Sequence, residues 1–221
     1  MLFRSDRLAA GCDALLQYTA RRATARLLEF GTVTGHAEDI LEGDGVSEQA
    51  IPLAVTATIT GGTLHLDFAG TSARVRGNLN CPIAVTRSAA MFVLRSLMSD
   101  DVPTNEGIAR PISIQTPEDC FLNARWPSAV AAGNVETSQR VTDLIFAALA
   151  DAGLPTIAQG QGTMNNITFG GRGWTFYETL GGGQGASPHG DGPSAVHVGM
   201  SNTRNTPIEA LERSYPIRIT E

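Results

Sequence analysis

Side-chain amides beside glycines crowd the second half of this sequence. They occur in Gly133-Asn134-Val135-Glu136-Thr137-Ser138-Gln139, in Gln161-Gly162-Thr163-Met164-Asn165-Asn166 and in Asn202-Thr203-Arg204-Asn205-Thr206. A carboxamide both donates and accepts hydrogen bonds, so Asn134, Gln139, Asn165, Asn166 and Asn202, with Glu136 among them, suit a substrate that itself carries amide N–H and C=O groups. Turn formation is the commoner reason for such clusters, because Asn and Gly both tolerate left-handed backbone. Glu178-Thr179-Leu180-Gly181-Gly182-Gly183-Gln184-Gly185 follows a strand-like run. Backbone amides at Gly181, Gly182 and Gly183 can approach an anion or a developing oxyanion closely, although Gly-rich turns more often serve close packing. His197 sits among Ala195, Val196, Val198 and Met200, apolar neighbours that can shift its pKa toward catalytic use. A hydrogen-bonded core histidine is the plainer alternative. Glu178 and His197 are the acid-base candidates.

Other titratable groups offer less. His189 lies in a Gly-rich stretch and reads as an exposed loop residue, and His65 as a strand residue on the outward face. His36 with Asp39, Glu42 and Asp44 offers oxygen and nitrogen ligands to a hard cation, but neither an EF-hand nor a zinc spacing is present, and a solvated acidic turn is expected there. There is no Gly-x-Ser-x-Gly elbow.

The elements that must position these groups are legible from periodicity. From Asp6 to about Phe30, Leu8, Cys12, Leu15, Thr19, Ala23 and Leu27 recur at three- to four-residue steps, which predicts an amphipathic helix. Gly35 to Gly45 reads as a polar turn segment. Ile51 to Thr60 and Thr63 to Phe68 are β-branched runs joined by Gly61-Gly62, a two-residue hairpin signal. Val85 to Met98 reads as a buried helix, Ile112 to Gln115 as a short strand, and Glu136 to Asp151 as a third helix stopped by Gly153 and Pro155. Short strands are expected near Ile167 to Phe169 and Thr175 to Thr179, and a last helical turn over Pro207 to Arg213. With no internal repeat and no low-complexity linker, the expected class is α+β: a mixed β-sheet with packed helices and long Gly/Asn-rich loops.

Composition narrows the chemistry. The 221 residues, 42% of them hydrophobic, are enough for one substantial core. All 16 basic side chains are arginine, so a lysine Schiff base, a Ser-Lys dyad and a phosphate loop ending in Gly-Lys-Ser/Thr are excluded. Nucleotide chemistry must therefore use another site or chain. A formal charge of −6 without an arginine-rich run gives no footprint for nucleic acid. Cys12, Cys81 and Cys120 are odd in number and widely spaced, and read as buried thiols of a reducing compartment. No apolar run reaches the length of a membrane span and the start lacks a signal-peptide hydrophobic region, so a cytoplasmic location is expected.

Several longer stretches carry more than periodicity. Asp67-Phe68-Ala69-Gly70-Thr71-Ser72 with Gly77-Asn78-Leu79-Asn80, Pro103-Thr104-Asn105-Glu106-Gly107, and Pro127 through Gly133-Asn134-Val135-Glu136-Thr137-Ser138-Gln139-Arg140 are three of them. Gly162-Thr163-Met164-Asn165-Asn166, Tyr177-Glu178-Thr179-Leu180-Gly181-Gly182-Gly183, and Asp191-Gly192 through His197 to Thr206 follow in order. Together they resemble the large subunit of the hydantoinase B / 5-oxoprolinase family over nearly the whole chain.

The resemblance implies ATP-dependent opening of a cyclic amide such as 5-oxoproline or an N-methylhydantoin, with ATP bound by a hydantoinase A-type partner subunit. The same family pattern occurs in ATP-dependent ketone carboxylases acting on acetone or acetophenone, which is the alternative activity. A non-catalytic assembly fragment is the alternative of a different class. Family members carry an N-terminal region with His- and Asp-containing motifs that bind a divalent metal in the acetone carboxylase branch, and a further Gly-rich C-terminal segment. Neither is matched here, so residues 1–221 are expected to be a single interior or C-terminal portion of such a subunit, inactive by itself. A smaller departure is Asp119, where the family pattern leads one to expect Gly.

Overall fold

The computed structural model describes residues 5–187 and 190–220; His189 lies outside the described residues. The first helix, α1, spans Ser5–Glu29. Strands β1 (Val33–Leu41), β2 (Ile51–Thr60), β3 (Thr63–Asp67) and β4 (Ile112–Gln115) form one sheet in the order β1-β2-β3-β4. The first two pairings are antiparallel and β3–β4 is parallel, so the sheet is mixed. Helix α2 (Ile83–Ser96) and helix α3 (Ser138–Asp151) pack on each other, and α3 lies across β1 and β2. A separate hairpin, β5 (Asn165–Gly171) and β6 (Trp174–Leu180), and a short helix α4 (Ile208–Ser214) complete the α+β fold.

The core follows from the strand periods. Leu53, Val55, Ala57 and Ile59 of β2 and Leu64 and Leu66 of β3 are buried, and they meet Val141, Leu144, Ile145 and Leu149 of α3. His65 is exposed on the outward face, as period-two alternation requires. Gly61 and Gly62 have φ of 56° and 76°, the pair of positive values that a tight antiparallel hairpin needs.

Two expectations are overturned, the first of them in a strand. Gly35 to Leu41, read as part of a polar turn, belongs to β1. Its solvent face carries Thr34, His36, Glu38 and Ile40, while on the opposite face Val33 is followed by Gly35 and Ala37, too small to continue a hydrophobic stripe. The smallness is imposed by α3, which passes so close that a Cβ on Gly35 would lie 2.0 Å from the Ala148 carbonyl oxygen. Beyond the strand, the Asp44 carboxylate accepts N–H groups from Val46, Ser47 and Gly77, and these bonds hold its pKa below the ordinary value. Asp44 thus organises a turn.

Cys81 and Cys120 are buried and free, and burial pushes the Cys81 thiol up to about 11. Cys12, expected to be buried, is exposed, because the first half of α1 has no neighbour among the described residues on the face that Leu8 and Leu15 share with it. Asp119 adopts φ 56°, a left-handed conformation in which glycine is the unstrained residue, which is a physical reason for glycine to be expected at this position.

Candidate active site

Helix α3 is preceded by a wide turn of π-helix, Gly133–Thr137. Such insertions re-aim side chains at a helix start. The turn is fixed from below: the Thr137 hydroxyl donates to the Leu79 carbonyl at 2.5 Å, and a Cβ on Gly133 would lie 2.3 Å from the Asn80 carbonyl oxygen. Asn80 is fully buried, accepting the Val75 N–H and donating to the carbonyls of Val75, Gly77 and Ala129.

Three successive polar groups around this turn reach out to the loops that follow β-hairpin and helix in sequence. Thr163 Oγ1 donates to the Glu136 carboxylate at 2.6–2.7 Å. Gln139, buried, accepts the Met200 N–H at 3.0 Å and donates to the Val198 carbonyl at 3.3 Å. Arg140 donates to the Gly162 carbonyl at 3.2 Å and to the Ile40 carbonyl at 2.7 Å, and pairs with Asp39 and Glu42 at 3.3 Å. One turn further along, burial pushes the Asp143 carboxyl up to about 6, against the opposing pull of the Gly160 N–H and of Arg140.

These ties close a cleft of about 290 Å³ between α2 and α3. Its walls are Ala84, Val85 and Ser88 from α2, Asn134 and Ser138 from the start of α3, and Met164 and Met200 from the two loops. None of these side chains is charged. Of the residues expected from sequence, the structure brings Asn134 to the cleft itself and sets Glu136 and Gln139 immediately behind it as loop anchors.

The remaining candidates form a second cluster on the glycine-rich side. Asn165 Nδ2 donates to Gln161 Oε1 at 2.8 Å, and Asn166 Oδ1 accepts the hydroxyls of Tyr177 and Thr179 at 2.8 and 2.7 Å across the β5–β6 hairpin. Glu178 Oε1 accepts the Thr206 N–H. His197 is half-buried, with Nδ1 2.6 Å from Ser201 Oγ and Nε2 3.1 Å from Asn205 Oδ1. It braces the turn Val198–Ser201, whose Met200 lines the cleft. Asn202 is exposed. Gly183 donates its N–H to the Val196 carbonyl, and side chains at Gly181 and Gly182 would collide with the Ala195 carbonyl oxygen and with Gln161 at 2.7 and 1.7 Å. Close packing is thus one reason for glycine in this loop.

Sequence reasoning did not single out Ala84, Val85 or Ser88. Their i, i+4 spacing at the start of a helix carries no chemical signal until α3 is laid beside it. Met164 and Ser138 were inside recognised stretches but had no assigned part.

The described residues thus form a helix pair over a mixed sheet, an α+β scaffold, with an uncharged cleft walled by Asn134, two serines and two loop methionines. The hydantoinase B/oxoprolinase family model matches residues 3–221, and the chain belongs to that family. It is 41% identical over 186 residues to 5-oxoprolinase 1 of Arabidopsis thaliana, a match covering 84% of this chain and 14% of that protein. The fold matches the ATP-dependent caprolactamase of Pseudomonas jessenii with a TM-score of 0.82 at 22% identity, over 99% of this chain and 40% of that one. It also matches a nucleotide-free acetone carboxylase with a TM-score of 0.68 at 15% identity, over 89% of this chain and 30% of that one. The chain therefore spans less than half the length of each of these relatives.

Proposed function

We propose that this chain forms part of the substrate site of an ATP-dependent cyclic amidohydrolase, and that the cleft between α2 and α3 holds the ring. The observation that carries the reading is the uncharged cleft itself, with the Asn134 carboxamide on its wall and its two loop walls anchored by Gln139 and Glu136. At about 290 Å³ it is near the lower bound of small-molecule pockets, a size suited to a single ring and too small for a nucleotide as well.

The residues present do not fit a bound nucleotide or metal. The chain has no lysine for a phosphate loop, and among the described residues no three His, Cys, Asp or Glu side chains gather as a metal site. In this reading ATP belongs to an A-type partner subunit, any divalent metal belongs to the N-terminal region of the family, and ATP supplies activation of the amide oxygen. This chain's own residues bind and orient the ring and keep bulk water from one face of it. Donors held in place beforehand need no reorganisation when charge develops. Glu178, on β6, and His197, beside the turn whose Met200 lines the cleft, are the proton-transfer candidates. The whole assembly is proposed to be cytoplasmic; no helix among the described residues is long and apolar enough to cross a membrane.

The test is ATP hydrolysis by a longer form of this protein co-expressed with an A-type subunit, challenged with 5-oxoproline, with N-methylhydantoin, and with acetone plus bicarbonate. Stimulation by a cyclic amide is expected, as is a fall of at least tenfold when Glu178 and His197 are both replaced. Stimulation by ketone and bicarbonate alone would move the protein to the carboxylases, and no stimulation by any of them would favour an assembly role.

A further inference from the structure

Between the end of α3 and the start of β5, residues 155–164 run back along α3 with no helix or strand of their own. None of them is buried, and no backbone–backbone hydrogen bond ties residues 155–163 to another described residue. What holds the segment is a polar stripe on α3 and the π-helical turn before it. Thr163 Oγ1 donates to the Glu136 carboxylate, Arg140 Nε donates to the Gly162 carbonyl at 3.2 Å, and the Gly160 N–H donates to the Asp143 carboxylate. Glu136, Arg140 and Asp143 stand at i, i+4 and i+7, the spacing of one helix face, and they meet the segment in antiparallel order. On its other side the segment meets the glycine-rich loop, where Gly182 faces Gln161 and Gly185 faces Ala158, positions with no side chain to interlock. Few buried contacts and few backbone hydrogen bonds mark a segment that opens locally well before the molecule unfolds.

We propose that residues 155–164 are a lid over the cleft between α2 and α3, and that Arg140 is the positioning residue that latches it shut. The gating role rests on the reading above that the cleft holds the ring. Met164, at the end of the segment, is a wall of the cleft, so lifting the segment opens it. Arg140 suits a latch because its guanidinium is itself anchored. Nη1 donates to the Ile40 carbonyl at 2.7 Å and the group pairs with Asp39 and Glu42 at 3.3 Å, which leaves Nε aimed at Gly162. A planar fork can serve acceptors on the lid and on the end of β1 at once, whereas a single ammonium cannot. Gly153, with φ 84° and open space where a Cβ would be, supplies a pivot where the segment leaves α3. Opening admits a ring, and closure keeps bulk water from it while its amide is activated.

The test is iodoacetamide labelling of the 221-residue chain carrying Cys12→Ser and Ser138→Cys. Ser138 lines the cleft and is 1% exposed, so a thiol there reacts when the lid lifts. Cys81, buried in the core, reacts on global unfolding and serves as the control. Arg140→Gln, which removes a charge-assisted hydrogen bond to the lid, is expected to speed labelling at position 138 by about tenfold or more with Cys81 unchanged. Arg140→Lys is expected to fall within about threefold of Arg140→Gln, because it keeps the charge and loses the fork. Thr163→Val removes one tie without altering α3, and an increase of about threefold is expected. N-methylhydantoin is expected to slow labelling when the latch is intact. Unchanged labelling in all three variants would overturn the lid, as would a rise at position 138 that Cys81 matches in Thr163→Val as well as in the Arg140 variants. A slow, fully latched rate in Arg140→Lys would overturn the latch geometry. Faster labelling in the variants with no effect of N-methylhydantoin would leave the lid standing and sink the reading of the cleft as the ring site.

Discussion

Asp143 is a carboxyl whose protonation the fold alters. Burial pushes its carboxyl up to about 6, and it sits beside Arg140 and the Gly160 N–H on the helix that anchors the cleft loops. A carboxyl with a raised folded-state pKa binds its proton more tightly in the native state. Its contribution therefore favours folding at low pH and is lost as pH rises from about 4, where the unfolded chain releases the proton, through about 6. Asp143→Asn keeps the acceptor for the Gly160 N–H and removes the buried charge. Urea unfolding at pH 7.5 is expected to show the variant more stable by about 1–2 kcal/mol, with the gain fading at pH 4.5. Equal stability of the two proteins at both values would show that water reaches the carboxyl freely. Other residues in the family-like stretches are structural by the same kind of accounting. Asn80 satisfies four backbone groups, Thr71 bonds both the N–H and the carbonyl of Ala54, and Asn105 caps a short helical turn and donates to Thr19.

At the scale of elements, the C-terminal half of α3 lies unusually close to β1. Gly35 makes that approach possible, and His36 adds a backbone N–H to the Asp151 carboxylate at 2.9 Å at the far end of the helix. Gly35→Ala must push α3 and β1 apart, since its methyl would meet the Ala148 carbonyl and the Ala152 backbone nitrogen. A loss of about 3 kcal/mol or more is expected from chemical denaturation, large for the addition of one carbon. A loss below about 1 kcal/mol would show that α3 can slide over β1 without strain. The β5–β6 hairpin is a different kind of element: its strands are largely exposed, Phe169 packs against Trp174 and Phe176, and those two rings pack against Tyr215 at the end of α4.

For the molecule as a whole, the apolar surface is unevenly finished. Leu8 and Leu15 are 59% and 47% exposed along the first half of α1, and Trp126 is 93% exposed. Contiguous exposed apolar side chains on a helix favour association. The isolated chain is expected to bind a hydrophobic dye and to self-associate with rising concentration, and Leu8→Gln with Leu15→Gln to reduce both signals at least twofold without changing the unfolding midpoint. Unchanged dye binding in that variant would place the sticky surface elsewhere, with Trp126 the next position to test. An A-type subunit that protects Leu8 and Leu15 from solvent in a hydrogen-exchange comparison would identify this helix as an assembly surface.

Much of this architecture was legible in the residues. The α+β class, the Gly61-Gly62 hairpin, β4 at Ile112–Gln115 and the positions of the helices follow from local periods and turn chemistry, because those are set by neighbours in sequence. The motif stretches also carried family membership, since side chains that satisfy several backbone groups at once, such as Asn80, leave few substitutes. What only the tertiary structure decided depends on distant segments meeting. Strand β1 is hidden in sequence because its inner face is Gly35 and Ala37, small for the sake of a helix more than a hundred positions later. The cleft is hidden because Ser88 and Ser138 line one space only when α2 and α3 pack side by side, an arrangement set by helix packing and not by residue type.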